Sequence, residues 1–536
     1  MKKLKFKSLK VLVLFYIGFS LSCQSPENEE KSHLVFRYNE HSDITSLDPA
    51  FAKDQRNIWA VHQLYNTLVG LDENLNIMPE LAKSWTISED GLTYKFELRD
   101  DAYFHDNKIF KTKHQLTAQD VEFSLKRLTD PNLASPGSWI MKPVESITTL
   151  SDFSLEIKLN QNFPAFLGLL SMKYCSVIPE EVETENIDFR TNPIGSGPFQ
   201  FKRWIPQEKL VFRKNPLYFE TDSLGQQLPY LEAVAITFLP DKQSEFMQFI
   251  QGNLDFMSGL DVSYKDELLQ ADGQLKSKYK NQIVLNKSPY LNTEYIGFYL
   301  ADSISGNQNQ NFRKAINYGF DRQKMLKYLR NGIGIPAQHG FIPKGLPGFD
   351  ELRGYDYQPE KAKRLIEEYK TKTGAKIPEI VISTNAQYVD LIEFIQSELQ
   401  SIGVKVIVDV LPASTLRQKR SSGQLQAFRA SWIADYPDAQ NYLSLFYSKN
   451  KSPNGPNYTH FESQVYDSLY ERALKTFENK ERVALYKQLD SIVTNHAAVI
   501  PLYYDEVVRF KQKNVKGLGI NPINLLDLKK VHKEKR

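Results

Sequence analysis

Short runs of β-branched and aromatic residues alternate with longer amphipathic segments along this chain, and no other feature limits its fold as strongly. Each short run has four to eight residues and is bounded by polar or turn-forming residues, which is typical of β-strands. The runs predict strands at Leu34–Tyr38, Tyr94–Leu98, Leu155–Leu159, Val234–Leu239, Ile283–Asn286, Tyr295–Leu300, Ile380–Ser383, Val404–Val410 and Val499–Tyr504.

The intervening segments have the start signals of helices. Thr117 and Asp120 form a capping pattern ahead of an apolar helical face, and Asp321 is placed to cap a second helix. Pro359–Tyr369 and Val389–Ile402 have the spacing of amphipathic helices. Helices and strands alternate from there onward, which predicts βαβ units with a partly parallel sheet. With 536 residues, we expect a mixed α/β protein of at least two lobes.

The N-terminus has the pattern of a secretory signal. Met1–Lys10 carries five lysines and no acid, Val11–Phe19 is apolar, and Ser20, Leu21 and Ser22 precede Cys23. The apolar run is far shorter than the roughly 20 residues that a membrane-spanning helix needs. We therefore predict a signal peptide at residues 1–22 and an exported protein.

Cys23 directly follows the predicted cleavage point, which is similar to the lipobox of bacterial lipoproteins. One position departs from that pattern, because Ser20 stands where leucine is usual and Leu21 follows one place later. The resemblance implies that Cys23 is lipidated and that residues 23–31 form a polar linker from a membrane. The alternative is a signal peptide with an incidental cysteine.

Charge and cysteine content argue against a nucleic-acid-binding protein and against a protein stabilised by disulfide bonds. Five of the 67 basic residues lie in the signal, so the mature chain has 62 basic and 64 acidic residues, and no basic nucleic-acid surface is expected. Cys175 is the only cysteine besides Cys23, so lipidation of Cys23 leaves no intramolecular disulfide. The apolar neighbours of Cys175 predict a buried, inert thiol.

The sequence also lacks the usual constellations of an enzyme. There is no GxSxG elbow and no HExxH motif, and the nine histidines are scattered. We therefore expect no catalytic residue, no metal and no cofactor. An exported peptidase is the less favoured alternative, because it would need an activated nucleophile or a metal-held water.

Nine strings of residues, taken in order, resemble the family 5 extracellular solute-binding proteins, which are the peptide receptors of bacterial ABC importers. The resemblance covers nearly all of the mature chain. The strings are Ser46–Ala50, Leu64–Trp85, Asp90–Asp106, Thr117–Leu128, Asn192–Phe201, Arg213–Phe219, Phe312–Met325, Tyr355–Glu368 and Trp432–Phe446. One departure is the basic stretch NKIFKTKHQL, which replaces a shorter Gly-Pro turn.

The resemblance implies a two-lobed, type II periplasmic-binding-protein fold with mixed sheets, a hinge and an extra inserted domain. Domain I would comprise residues 32–69, 192–288 and 503–536, and domain II would be inserted at 70–191. Domain III, at 289–502, would form the opposite lobe. The implied partners are a peptide ligand and an ABC permease, and the implied state is a monomer.

The segment AFRASWIADYP (Ala427–Pro437) stands out on chemical grounds, because a strand-like run delivers an aspartate into an apolar setting. One interpretation is that Asp435 caps the following turn. By resemblance, Asp435 instead holds the α-amino group of a peptide and Trp432 lines a side-chain pocket. Ser431 and Ile433 would supply main-chain contacts to the ligand, and Tyr436 lies in the same string.

The segment near Ser46 would supply further main-chain contacts from the opposing lobe. Peptides share a backbone and a charged end, so an exposed strand edge and one carboxylate suffice to recognise many of them. Other ligands of this fold are alternatives: a nickel chelate, haem, an oligosaccharide or a peptide-like antibiotic. Nickel has little support without a histidine cluster, and sugars need no acidic amine anchor.

Overall fold

The structure is a computed structural model that describes residues 32–185, 187–261, 263–302, 306–351 and 354–535. The predicted signal peptide, Cys23 and the linker lie outside the described residues. Within the described ranges, no helix combines the length and the apolar character that crossing a membrane requires.

The strands are β1 (Val35–Asn39), β2 (Val69–Leu71), β3 (Ile77–Pro79), β4 (Ala82–Ile87), β5 (Thr93–Leu98), β6 (Val144–Ser151), β7 (Ser154–Leu159), β8 (Phe199–Ile205), β9 (Lys209–Lys214), β10 (Ala233–Thr237), β11 (Phe256–Ser258), β12 (Ile283–Phe298), β13 (Ile335–Pro336), β14 (Glu379–Thr384), β15 (Lys405–Val410), β16 (Ala427–Ile433), β17 (Val499–Gln512), β18 (Val515–Lys516) and β19 (His532–Lys533).

The α-helices are α1 (Gln55–Leu64), α2 (Ala118–Arg127), α3 (Phe166–Leu170), α4 (Glu181–Thr184), α5 (Lys242–Ile250), α6 (Lys265–Leu268), α7 (Gln310–Tyr318), α8 (Arg322–Arg330), α9 (Pro359–Thr373), α10 (Val389–Gln400), α11 (Ala413–Ser421), α12 (Gln440–Leu443), α13 (Gln464–Lys475) and α14 (Asn479–His496).

The predicted helix starts at Thr117 and Asp321 are confirmed. Asp120 accepts a hydrogen bond from the Thr117 N–H at 2.8 Å, and Asp321 accepts from the Gln323 and Lys324 N–H groups. These bonds satisfy donors that the first turn of a helix leaves free. The local sequence therefore fixes where α2 and α8 begin.

Ten strands form one long mixed sheet in the order β15-β14-β16-β12-β17-β11-β1-β10-β9-β8, and β13 adds to β17. β14 is parallel to both β15 and β16, whereas β12 is antiparallel to β16 and β17. A separate antiparallel sheet has the order β4-β5-β7-β6. The predicted partly parallel sheet is therefore present, at the β14 end of the long sheet.

The two long strands β12 and β17 join the two halves of the long sheet. The N-terminal part of β12 pairs with the C-terminal part of β17 beside β11, and its C-terminal part pairs with β16. The β12–β17 register shifts between Pro289 and Thr293. We predicted two separate strands here, and this was wrong, because the chain continues through the irregularity as one strand.

The buried apolar residues form separate cores on either side of this junction. One core gathers residues from 36 to 256 with a few from the C-terminal segment, and two others gather residues from 291 to 503. Tyr436 is an exception, since it packs in the first core although its chain neighbours belong to the others. The first core marks lobe 1 and the other two mark lobe 2, and two lobes joined by two strands are the arrangement on which a hinge depends.

The segment Asn192–Phe199 has two prolines and two glycines, a composition typical of a turn, and close packing requires its glycines. A Cβ atom on Gly195 would lie 2.0 Å from the Leu64 carbonyl oxygen, and one on Gly197 would lie 2.4 Å from the Leu64 carbonyl carbon. From the sequence, the isolated histidine His105 would be a surface or loop residue, but the structure buries it against this turn. Its Nδ1 accepts from the Gly195 N–H and its Nε2 lies 3.1 Å from the Gly197 oxygen.

Candidate functional site

A cavity of about 730 Å³ lies where the two halves of the long sheet meet. One wall comes from the end of β1, the start of α1, helix α5 and the segment after β11; the other comes from the end of α8, the segment after β14 and the middle of β17. A cavity of this size between two lobes has room for a small organic ligand.

The C-terminal half of β16 has an open edge beside this cavity. β14 pairs with β16 only at Ala427 and Phe428, so within the described residues no strand covers Arg429–Ile433 on that side. Tyr388, which lines the cavity, stacks on the Arg429 guanidinium with 3.1 Å between the ring centroid and Cζ. The open edge therefore begins at the cavity wall.

The antiparallel register shows which residues of β16 present their main chain at this edge. The Ala434 N–H donates to the Leu291 oxygen at 2.9 Å, so Ala434 faces β12. Because antiparallel residues alternate between facing a neighbour and facing away, Ser431 and Ile433 point their N–H and C=O groups away from β12. The two residues predicted to contact a ligand backbone thus have free main-chain groups at the open edge.

Asp435 follows β16 and has few partners. Its Oδ2 accepts one hydrogen bond, from Asn441 Nδ2 at 3.2 Å, and among the described residues no cation forms an ion pair with it. The side chain is accessible to solvent, yet the protein crowds around it, and this desolvation raises its pKa. A carboxylate in this setting gains from a cationic partner.

The alternative that Asp435 caps the next turn finds no support in the geometry. Asp438 performs that role, because its Oδ1 accepts from the Gln440 N–H at 2.9 Å and from the Tyr486 hydroxyl at 2.7 Å. The Asp435 carboxylate accepts no main-chain hydrogen bond within the described part of the chain. It is therefore available for a group outside the chain.

Asn441, at the start of α12, positions both Trp432 and Asp435. Its Oδ1 accepts from Trp432 Nε1 at 2.8 Å and from the Asp435 N–H at 3.4 Å, while its Nδ2 donates to the Asp435 carboxylate. Sequence reasoning did not identify this residue. Nothing in the string distinguishes Asn441 from its neighbour Gln440, since only the tertiary fold brings it back onto β16.

Tyr436 crosses between the lobes instead of facing the 730 Å³ cavity. It is 5% exposed, its ring lies 6.4 Å from those of Trp139 and Phe163, and its hydroxyl bonds to Gln440 Oε1. Its Cβ also lies against Gly168, 3.7 Å from where a Cβ would stand. The contacts of Tyr436 therefore connect the loop after β16 to the other lobe.

Ser46 is buried, and its hydroxyl accepts a hydrogen bond from the Asp48 N–H at 3.1 Å. It does not line the 730 Å³ cavity. The Asp48 carboxylate in turn pairs with Arg127 at 2.8 Å, which ties this turn to helix α2. The segment thus has a clear structural role in lobe 1.

The Asp435 carboxylate interacts electrostatically with tyrosine side chains on both sides of the cleft. Both Asp435 and Tyr290, which lines the cavity, act electrostatically on the buried Tyr442. Across the cleft, burial and the charges of Asp435 and Asp54 raise the pKa of Tyr174 to about 12. The charge of Asp435 therefore acts on side chains of both lobes.

A buried charge network supports the other part of the cavity wall. Arg429 forms an ion pair with Glu294, and Arg330 NH2 lies 2.5 Å from Asp505 Oδ1. Tyr503 lies under the Arg330 guanidinium with 4.6 Å between Cζ and the ring centroid. Sequence reasoning did not find this network, because its members are far apart in the chain.

One group of side chains has the composition of a metal site, away from the interlobe cavity. Ligand atoms of His114, Asp120 and Glu181 lie within 4.8 Å of one another. The two His114 nitrogens face different carboxylates, at 3.9 Å from Asp120 and 3.4 Å from Glu181, and Asp120 also caps α2. These contacts raise the pKa of His114, which is the behaviour of an ion-paired histidine.

Cys175 is buried, as predicted, and burial raises the pKa of its thiol to about 12. A thiol with so high a pKa is protonated at neutral pH and is a poor nucleophile. Its Sγ lies 3.5 Å from the Leu169 carbonyl oxygen. The residue has the environment of a core side chain.

Comparison with known proteins identifies the family. The model of the bacterial extracellular solute-binding proteins, family 5 Middle, matches residues 76–454. The chain belongs to this family. The heme-binding protein A of Haemophilus influenzae is 28% identical to this family 5 protein over 485 residues, covering 86% of this chain and 85% of the relative. The glutathione-binding protein GsiB of Salmonella typhimurium is 27% identical over 488 residues, covering 90% and 91%.

A solved structure extends the comparison to the whole fold. The ABC transporter-associated periplasmic binding protein DppA from Helicobacter pylori, in complex with the peptide STSA, matches this family 5 protein with a TM-score of 0.76 and 27% identity. The match covers 93% of this chain and 98% of that one. The predicted fold class, an α/β two-lobed type II periplasmic-binding-protein fold with mixed sheets, is confirmed.

Proposed function

We propose that this family 5 protein captures peptides between its two lobes and delivers them to an ABC importer. The observation that carries the proposal is the Asp435 carboxylate, which has one hydrogen-bond donor and no cationic partner among the described residues. A peptide supplies the missing charge through its α-ammonium group. The resulting charge-assisted hydrogen bond fixes the register of the bound chain.

The open edge of β16 supports the same ligand class. A peptide bound there would add to the sheet as a strand, with Ser431 and Ile433 as its main-chain partners. Recognition through main-chain groups is independent of side-chain identity, so one site accepts many sequences. Trp432, whose indole is held by Asn441, would form part of a side-chain pocket.

The decisive experiment compares peptides with free and with N-acetylated amino termini. We expect free tripeptides to bind in titration calorimetry and to raise the melting temperature, and their acetylated forms to do neither. Asp435→Asn keeps the shape but removes the charge, so affinity should fall roughly tenfold to hundredfold, as for the loss of a charge-assisted bond. Equal binding of acetylated and free peptides would remove Asp435 as the anchor.

A matched control is Glu360→Gln, which removes a carboxylate of the same charge at the exposed start of α9. This variant should bind free peptides as the wild type does. A titration with haem, followed by its absorption band, and one with glutathione complete the test, because relatives are named for those ligands. Binding of haem or glutathione with no binding of peptides would favour a different solute.

We also propose that Cys23 carries a lipid that anchors the mature protein, which acts as a monomer outside the cytoplasm. The support is the signal pattern before Cys23 and the extracellular family. Cells that express the wild type should incorporate labelled palmitate into the protein, and a Cys23→Ser variant should not. Label in the Cys23→Ser variant would contradict the proposal.

The proposed domain plan has its lobe boundaries at residues 288/289 and 502/503. Both boundaries fall inside the long strands β12 and β17, the first directly before the shift of register. The four-stranded sheet β4-β5-β7-β6 lies inside the proposed inserted domain at 70–191. Hinge bending in β12 and β17 would then close lobe 2 onto lobe 1.

A further inference from the structure

Glu40, directly after β1, is a carboxyl group of the cavity wall with an unused acceptor. It lines the 730 Å³ cavity yet is only 7% exposed. Its Oε1 is buried and has no hydrogen-bond partner within the described chain. Its main-chain N–H donates to the Thr237 oxygen at 2.9 Å, which fixes the residue beside the sheet. A buried acceptor without a donor is costly, so its retention in a ligand cavity points to a group that arrives with the ligand.

The charges around Glu40 leave one carboxyl group without a cation. Lys242 Nζ lies 2.7 Å from Glu245 Oε2, and Arg56 Nε lies 3.5 Å from Asp54 Oδ1. Both cations therefore have a carboxylate of their own, although both also act on Glu40 electrostatically. The cluster has three acids (Glu40, Glu245 and Asp54) and two bases (Lys242 and Arg56). Glu40 is the acid that has no base paired with it.

The other cations of the cavity wall are also matched. Lys265 Nζ lies 2.8 Å from Asp266 Oδ1 and bonds to Asn331, and Arg330 pairs with Asp505. The cavity thus presents several positive groups, each with a carboxylate partner. None of them is positioned by a hydrogen bond to Glu40 Oε1.

The neighbours of Glu40 along the chain supply no positive charge at neutral pH. Burial lowers the pKa of His41, with Lys242 and Arg56 as further causes, so its imidazole is neutral. The Tyr38 hydroxyl is buried and has no hydrogen-bond partner in the described part of the chain, and burial raises its pKa well above the usual value. Burial, with Glu245 as the second cause, raises the pKa of Glu40 to about 8. At pH 7 the Glu40 carboxyl group is therefore protonated in the absence of a cationic ligand.

We propose that Glu40 is the recognition site for a positively charged side chain of the ligand, an ammonium or guanidinium group, so that the protein prefers peptides containing lysine or arginine. This inference rests on the proposed function, because it specifies which peptides the cleft selects. The ligand cation completes the third acid–base pair of the cluster. As the pair forms, the Glu40 carboxyl group ionises and its proton passes to the solvent, one proton for each ligand bound.

The test compares lysine with norleucine, which keeps the aliphatic chain without the charge. Tripeptides of alanine with one lysine at the first, second or third position are titrated at pH 7, each against its norleucine counterpart. We expect lysine to be favoured at least about tenfold at one position, as for a charge-assisted bond. Titration in buffers of different ionisation enthalpy should show release of about one proton for that lysine peptide and none for its counterpart.

Glu40→Gln has the shape of the protonated wild-type side chain, so the variant should fold and bind the norleucine peptides normally. It should lose both the lysine preference and the proton release. The matched control is Glu360→Gln, the same change of side chain at the exposed start of α9, outside the cavity wall. This variant should keep the preference and the proton release.

Two outcomes would overturn the inference while leaving peptide capture intact: equal binding of lysine and norleucine peptides by the wild type, or a preference that survives in Glu40→Gln. Failure of every free peptide to bind would overturn the proposed function, and this inference with it. If Glu40→Gln did not fold, the wild-type proton count would decide, because absence of release with the preferred lysine peptide contradicts ionisation of Glu40.

Discussion

Replacing Tyr436 with alanine tests whether the lobes are held closed by a side chain that reaches across the cleft. Tyr436 follows Asp435, the proposed ligand anchor, and packs in the core of lobe 1, between Trp139 and Phe163. If opening of the lobes separates these rings, their contact stabilises only the closed state. Tyr436→Ala should then weaken ligand binding by shifting the open–closed equilibrium.

The size of the effect follows from the contacts that opening would break. Two aromatic pairs, each contributing about 0.5–1.5 kcal/mol beyond area burial, give about 1–3 kcal/mol in favour of closure. Because the ligand binds the closed state, this loss should appear in the dissociation constant, which we expect to rise roughly 5- to 150-fold. The hydroxyl contributes nothing to closure, since its partner Gln440 belongs to the same lobe.

The assay combines titration calorimetry with small-angle scattering of the free and the peptide-bound protein. Tyr436→Phe is the matched control, because it keeps both ring contacts and loses only the bond to Gln440. We expect Tyr436→Phe to bind within about twofold of the wild type, well below the effect of losing one ring pair. Scattering of Tyr436→Ala at subsaturating peptide should show a larger radius of gyration than that of the wild type.

The reasoning is refuted if Tyr436→Ala folds and binds peptide as tightly as the wild type. It is also refuted if the affinity of Tyr436→Ala falls but the variant has the same radius of gyration as the wild type, both free and with peptide bound. The second result would mean that Tyr436 touches the ligand directly and has no part in closure.

Three further predictions follow from the site and the core. Asn441→Ala removes the hydrogen bond that Asn441 donates to the Asp435 carboxylate, the only one to that group among the described residues. The pKa of Asp435 should rise, so peptide affinity should fall by about 1–2 kcal/mol, and more steeply at acidic pH, in calorimetry over a pH series. A ligand whose amide opposite Ser431 or Ile433 is replaced by an ester should lose about 1 kcal/mol in calorimetry, and unchanged affinity would exclude strand addition. Burial raises the pKa of Asp490 from 3.8 to about 7, so the folded state binds more protons than the unfolded state. The free energy of unfolding should therefore decrease as pH rises from about 4 to about 7, by up to the order of 4 kcal/mol. Urea unfolding over this pH range should show the decrease, and Asp490→Asn should reduce it.

The amino-acid sequence determined the local elements of this protein. Period-two runs such as Tyr94–Leu98 became strands within one residue of their predicted bounds, and the caps at Thr117 and Asp321 set the start of their helices. These features depend on residues close together in the sequence, whose side chains and main-chain groups interact independently of the tertiary structure. The string around Asp435 was informative for the same reason, because a carboxylate is conspicuous among apolar neighbours.

Features that join distant parts of the chain were decided by the tertiary structure. β12 reads as two strands in sequence, yet pairing with β17 on both sides of Pro289 makes it one. His105 reads as a surface residue, but the turn at Gly195 and Gly197 encloses it.

The site shows the same division. Sequence predicted Asp435 and Trp432 as site residues, but Asn441, which hydrogen-bonds to both, was not distinguishable from its neighbours. Glu40 became notable only when Glu245 and Lys242, some 200 residues later in the chain, were seen beside it. Burial and charge pairing are sums over all atoms nearby in space, and the fold alone specifies which atoms those are.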